Sequence, residues 1–144
     1  MPKAHVESPL AGSMILAGVL LKLGGYGLVR VYYCMPAIGY RGLRYIVRSL
    51  ALWGGAICGF ICLRQVDIKC LIAYRSVTHI GVMIGGVIRG SYLGSYGAIV
   101  IMFSHGLVSS RMFLGAFIIY KVLGTRSLYL IKGFIRLVPI ISLI

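Results

Sequence analysis

Pro2-Lys3-Ala4-His5-Val6-Glu7-Ser8-Pro9 leads into Gly12-Ser13-Met14-Ile15-Leu16-Ala17-Gly18-Val19-Leu20-Leu21-Lys22-Leu23-Gly24-Gly25-Tyr26-Gly27. A polar hairpin thus runs straight into an apolar helix with one lysine near its middle. Pro9 suits the first turn of a helix, and Leu10 to about Arg30 is apolar apart from Ser13, Lys22 and Tyr26. A charge at membrane depth costs roughly 2.5–3.5 kcal/mol on insertion scales, so it is retained where it faces a water path or a partner. Gly24, Gly25 and Gly27 follow the lysine within two turns, where missing side chains weaken a helix and permit a local break. Lysine beside a helix break is the pattern of an ion site, because irregular backbone at membrane depth is tolerated only against protein or water.

The rest of the chain supports a membrane setting. Of 144 residues 60% are hydrophobic, and the mean hydropathy is +0.98. That leaves too little polar surface to cover a soluble globule. The expected fold is an all-α, polytopic transmembrane helical bundle with a broken lysine-bearing helix, in a single domain over residues 1–144. Helices are predicted near 9–30, 45–63, 70–88, 94–120 and 128–144. Residues 31–44, with Pro36, Gly39 and Gly42, read as an aqueous loop.

The formal charge is +13, with only Glu7 and Asp67 against fifteen Lys and Arg. Because these basic residues are scattered through apolar runs, they do not form the stripe or tail of a nucleic-acid-binding module. Cys34, Cys58, Cys62 and Cys70 match neither zinc-site nor CxxC spacing and read as small core residues. No charged segment followed by a short apolar one marks a signal peptide at the N-terminus.

Three stretches carry a resemblance: Pro2 to Gly27, Ile61 to His79, and Phe103 to Phe113 around His105-Gly106-Leu107-Val108-Ser109-Ser110. With Tyr120 to Arg126 they make the chain resemble, from end to end, the subunit 4 family of mitochondrial NADH:ubiquinone oxidoreductase, respiratory complex I. More distantly it resembles the other antiporter-like subunits and the multisubunit cation/proton antiporters. The resemblance implies a proton-translocating, multi-pass subunit of the mitochondrial inner membrane that holds no redox centre. NADH, FMN, iron–sulfur clusters and ubiquinone would be used elsewhere in the parent complex. The implied partners are the other membrane-arm subunits and the bilayer, anionic lipids included.

In that family the broken helix carries a central lysine, matched here by Lys22. A second lysine after the aspartate matches Lys69, and the histidine of the serine-rich HGL motif matches His105. Such an axis carries protons because burial and neighbouring charge can set Lys and His to gain and lose protons near neutral pH. At about 100° per residue, Ser76 falls nearly in line with Lys69, and His79 lies within a quarter turn. Ser109 sits one turn beyond His105. Without the family, a histidine on an apolar face reads as a hydrogen-bonded core residue. Glu7, with His5, is either a capping residue or a point of proton entry. Asp67 is expected to pair with Arg64 or to act electrostatically on Lys69. Lys3, Lys121 and Lys132 read as loop or headgroup lysines.

The chain departs from the family in two respects. The family's glutamate on an earlier helix, and the ionisable residue of its second broken helix, fall outside the middle third that this chain covers. Arg75 stands where the family has serine, Arg111 lies about 120° around the helix from His105, and Arg48 falls at the edge of a span. Many invertebrate mitochondria read AGA and AGG as serine, so standard translation of such a gene would produce these arginines. The expectation is that Arg75, and with it Arg48 and Arg111, are misread serines, and that both chain ends are tryptophan codons read as stops. Arginines held by anionic headgroups are the alternative. The rival functions are a stand-alone cation/proton antiporter, a basic membrane-interface protein, and a non-functional fragment translated in the wrong code.

Overall fold

The computed structural model describes residues 7–34 and 41–131. His5, Lys3 and Lys132 lie outside the described residues. Four long helices follow one another: α1 (Leu10–Cys34), α2 (Arg41–Cys62), α3 (Ile68–Ile88) and α4 (Tyr92–Leu123), with a short α5 (Leu128–Ile131). Each of the four is long and apolar enough to cross a membrane. Among the described residues there is no strand, and one isolated backbone bridge joins Asp67 to Ser127. The chain is therefore an all-α, multi-pass bundle. At 32 residues, α4 is about 48 Å long by the helical rise. It exceeds the hydrocarbon thickness and must tilt or reach into the headgroups.

Helix α3 is the centre of the bundle, with α2 against one side and α4 against the other, while α1 lies mainly on α4. Without a hydrophobic drive between helices in lipid, such packing rests on close van der Waals fit and small residues. Gly81 and Gly55 supply that fit where α2 crosses α3: a Cβ placed on Gly81 would lie 2.7 Å from the Ala51 carbonyl oxygen and 3.2 Å from Gly55 Cα. Backbone on both sides leaves nothing that can yield. Gly81→Val is expected to destabilise the bundle by about 1–3 kcal/mol, seen as a lower unfolding temperature in detergent. An unchanged temperature would mean that the crossing relaxes freely.

The ends of the helices follow from local chemistry. Ser91 caps α4 by accepting the Gly94 N–H at 3.1 Å. Gly124, at φ 68°, ends it in the left-handed conformation with its N–H on the Tyr120 carbonyl at 2.9 Å. Leu128 N–H donates to Val66 O at 2.8 Å and Ile68 N–H to Arg126 O at 3.2 Å. The α2–α3 and α4–α5 connections are thereby tied together at one end of the bundle.

Two expectations are corrected. Residues 31–34 and 41–44 are helical, not loop. Tyr32 packs against the Met83, Val87 and Ala98 cluster, and the Tyr33 hydroxyl donates to Ser95 Oγ at 3.0 Å, so tertiary contacts carry α1 onward for another turn. The irregularity expected after the lysine, at Gly24–Gly27, lies before it: Leu16–Leu20 form a π-helical turn, and Leu21–Cys34 is unbroken helix. Gly25 serves close packing instead, since a Cβ there would meet Met83 and Met102 methyl carbons at 3.0 Å. Of the span expected at 128–144, Leu128–Ile131 is helical and the remainder lies outside the described residues.

Candidate functional site

Lys22 stands midway along α1, just past the π-helical turn, where such turns often mark functional sites. Its Nζ donates to the carbonyl of Ala17, inside that turn. Irregular winding exposes the carbonyl, and the lysine covers it. The same Nζ lies 3.1 Å from His105 Nδ1 on α4, across 83 residues of sequence. The His79 and His105 rings are 5.5 Å apart between centroids and tilted by 59°. Lys22, His105 and His79, from three different helices, thus form one group at mid-depth. Gly106 lets α1 approach, because a Cβ there would meet Lys22 Cε at 3.2 Å.

Beside this group, α3 and α4 form an open-sided cavity of about 260 Å³, lined by Arg75, Ser76, His79, Ser104, His105 and Ser109 among others. Its walls are mixed, with Ile72, Ile101, Val108 and Met112 among the polar groups, and its volume suits several waters held at those groups. Arg75, Ser104 and Val108 are exposed at the rim, while Ser76 and Ser109 are buried. Arg75 Nη1 contacts Met112 Sδ, a weak acceptor.

Lys69 is apart from this group. It sits in the first turn of α3, and its Nζ donates to Ser8 O at 2.7 Å. Its own cleft, of about 150 Å³, is lined with Pro9, Phe117, Tyr120, Thr125 and Arg126. Between the cleft and the histidine cavity packs an apolar cluster of Ile72, Phe113 and Ala17, with Met112 and Ile68 against it. Along one face of α3 the order is Lys69, Ile72, Ser76, His79: charge, dry layer, hydroxyl, imidazole.

The second-tier residues lie outside the group. Glu7 is exposed ahead of α1, and Asp67 is exposed at the N-cap of α3, where its side chain makes no cap hydrogen bond. Arg64 is exposed as well, and Lys121 is exposed in the last turn of α4. Arg48 lies over the Tyr45 ring at 5.2 Å, an accommodation for a cation at a helix edge. Sequence reading missed Ser13, fully buried, whose Oγ lies 2.8 Å from Ser8 Oγ and donates to Pro9 O at 3.1 Å. These bonds hold the start of α1 over Lys69. The only signal in the sequence was a serine one turn past a helix-initiating proline.

The sequence model of the NADH:quinone oxidoreductase/Mrp antiporter transmembrane family matches residues 1–144. Over 139 residues, 96% of the chain, it is 50% identical to the NADH-ubiquinone oxidoreductase chain 4 of Locusta migratoria. The proteins of the same name from Aedes aegypti and Branchiostoma lanceolatum are 50% and 51% identical over 143 residues, 99% of the chain. The chain spans 31–32% of the length of these curated relatives. With its full length matched and its apolar helices traversing a bilayer's depth, the chain belongs to the NADH:quinone oxidoreductase/Mrp antiporter transmembrane family.

Proposed function

We propose that the chain is a section of a chain 4 subunit of NADH:ubiquinone oxidoreductase, in the membrane arm of the complex in the mitochondrial inner membrane. Its role is to carry protons across that membrane through Lys22, His105 and His79, driven by electron transfer from NADH to ubiquinone elsewhere in the complex. The observation that carries this reading is the 3.1 Å approach of Lys22 Nζ to His105 Nδ1. Two proton-binding groups from α1 and α4 meet at mid-depth, with a second imidazole, His79, beside them and a cavity lined by both histidines and three serines next to it. A proton on Lys22 passes to the imidazole nitrogen it already faces, and from His105 into the cavity. Lys69 is a second station, reached when water transiently wets the layer of Ile72 and Phe113. NADH, FMN, the iron–sulfur clusters and ubiquinone act in other subunits, which are the partners along with the bilayer.

The rival is a cation/proton antiporter, since the family description covers both kinds of protein. The relatives' shared name favours the oxidoreductase. Proton uptake by native membrane vesicles on adding NADH tests the choice. Full suppression by a quinone-site inhibitor is expected, and transport indifferent to the inhibitor would select the antiporter.

A further inference from the structure

Four hydroxyls of α3 and α4 bond back to their own helix, and two of them, Ser104 and Ser109, line the histidine cavity. Thr78 Oγ1 donates to Tyr74 O, Ser104 Oγ to Ile101 O, and both Ser109 Oγ and Ser110 Oγ to Gly106 O. This is the ordinary way for a serine or threonine to satisfy itself inside a membrane helix. Ser76 does not do so. It is 1% exposed, it lines the 260 Å³ cavity, and among the described residues its Oγ has no hydrogen-bond partner. A buried hydroxyl left without a partner costs about as much as a lost hydrogen bond, so its position calls for a partner in the cavity.

Its place on α3 says what that partner does. Ser76 is one turn from His79 and two turns from Lys69, and Ile72, of the dry layer, lies one turn away between Ser76 and Lys69. A water held here would be the last polar site on the histidine side of that layer. We propose that Ser76 is a positioning residue for proton transfer, and that its hydroxyl anchors the water linking the His79–His105–Lys22 group to the Ile72–Phe113 layer. The hydroxyl accepts a hydrogen bond from one water and donates its own to the next. An excess proton then moves along by exchange of O–H bonds, each oxygen gaining one proton and giving up another, with no net change at Ser76. This rests on the proton-carrying role proposed above.

The test uses the complete subunit in its assembled complex, with proton uptake measured against NADH oxidation. Ser76→Ala keeps the volume and removes the hydroxyl; Ser76→Thr keeps the hydroxyl. The expected result is a fall of about tenfold in pumping rate for Ser76→Ala, an altered rate ratio between H2O and D2O, and restoration of both by Ser76→Thr. The complex should keep its full size on native gel electrophoresis, which reports assembly. Normal pumping and an unchanged isotope ratio in Ser76→Ala would overturn the role of Ser76. If the Lys22→Met subunit also pumped normally, the proton path itself would fall; if it were inactive, only the assignment of Ser76 would fall. Loss in Ser76→Ala without any change of isotope ratio would show a structural role and overturn the proposal.

Discussion

Replacing Lys22 by Met in the complete subunit is expected to lower NADH-driven proton uptake by at least about a hundredfold, the scale of losing a positioned acid–base group. Met fills similar space without a charge, so the helix is retained while His105 loses the group 3.1 Å from its Nδ1. The more discriminating variant is Lys22→Arg. A guanidinium keeps the positive charge and still donates, so it can cover the Ala17 carbonyl in the π-helical turn. It does not release its proton in a protein. If Lys22 serves only to fix the turn and balance charge, Lys22→Arg pumps nearly normally. If it must give up a proton, the arginine variant is as inactive as Lys22→Met. Normal pumping by both would remove Lys22 from the path.

His105 offers a smaller but cleaner test of the geometry. Its Nδ1 faces Lys22 while its ring lies beside that of His79. Glutamine in its place keeps a polar contact to the lysine but cannot accept and release a proton at neutral pH. His105→Gln is expected to reduce pumping by about tenfold or more, with assembly followed by the size of the complex on a native gel. Equal pumping would mean that the proton leaves Lys22 by another route.

Much of the bundle was legible because a membrane span is a long composition signal, and Lys22, His79 and His105 each interrupt an apolar run. What the sequence could not supply was which faces meet. Helix α4 is apolar nearly all round, so no stripe shows that His105 turns toward Lys22, 83 residues away. Glycine was misread for a related reason: Gly25 weakens a helix in isolation, but here it admits the methyl ends of Met83 and Met102. The π-helical turn at Leu16–Leu20 has no residue signature of its own in this segment. Lys69 and Ser76 were rightly placed on one face of α3, yet that face alone does not reveal the intervening dry layer, since Ile72 becomes a barrier only with Phe113 packed on it from α4. Reading periodicity gives the order of residues along a face; partners decide whether the face conducts.

Arg75 is where the sequence and the site disagree most, and changing it to serine is expected to raise pumping. The guanidinium stands at the rim of the cavity that holds His79, His105 and Ser76, against the Met112 thioether. Two unit charges about 5 Å apart repel by about 3 kcal/mol at an effective dielectric constant near 20. A permanent cation in that wall therefore opposes an excess proton entering the cavity by up to about a hundredfold in rate. Serine removes the charge and adds a hydroxyl beside Ser76. A complete subunit carrying Arg75→Ser should pump at least about tenfold faster than one with Arg75, with assembly unchanged. The same reasoning predicts the gene: the codon for residue 75 should be AGA or AGG, read as serine by the mitochondrion that carries it. A CGN codon, together with undiminished pumping by the arginine form, would mean that the fixed positive charge in the cavity wall does not obstruct transfer. Proton transfer would then have to run along the Lys22 side of His105 and avoid the α3–α4 cavity.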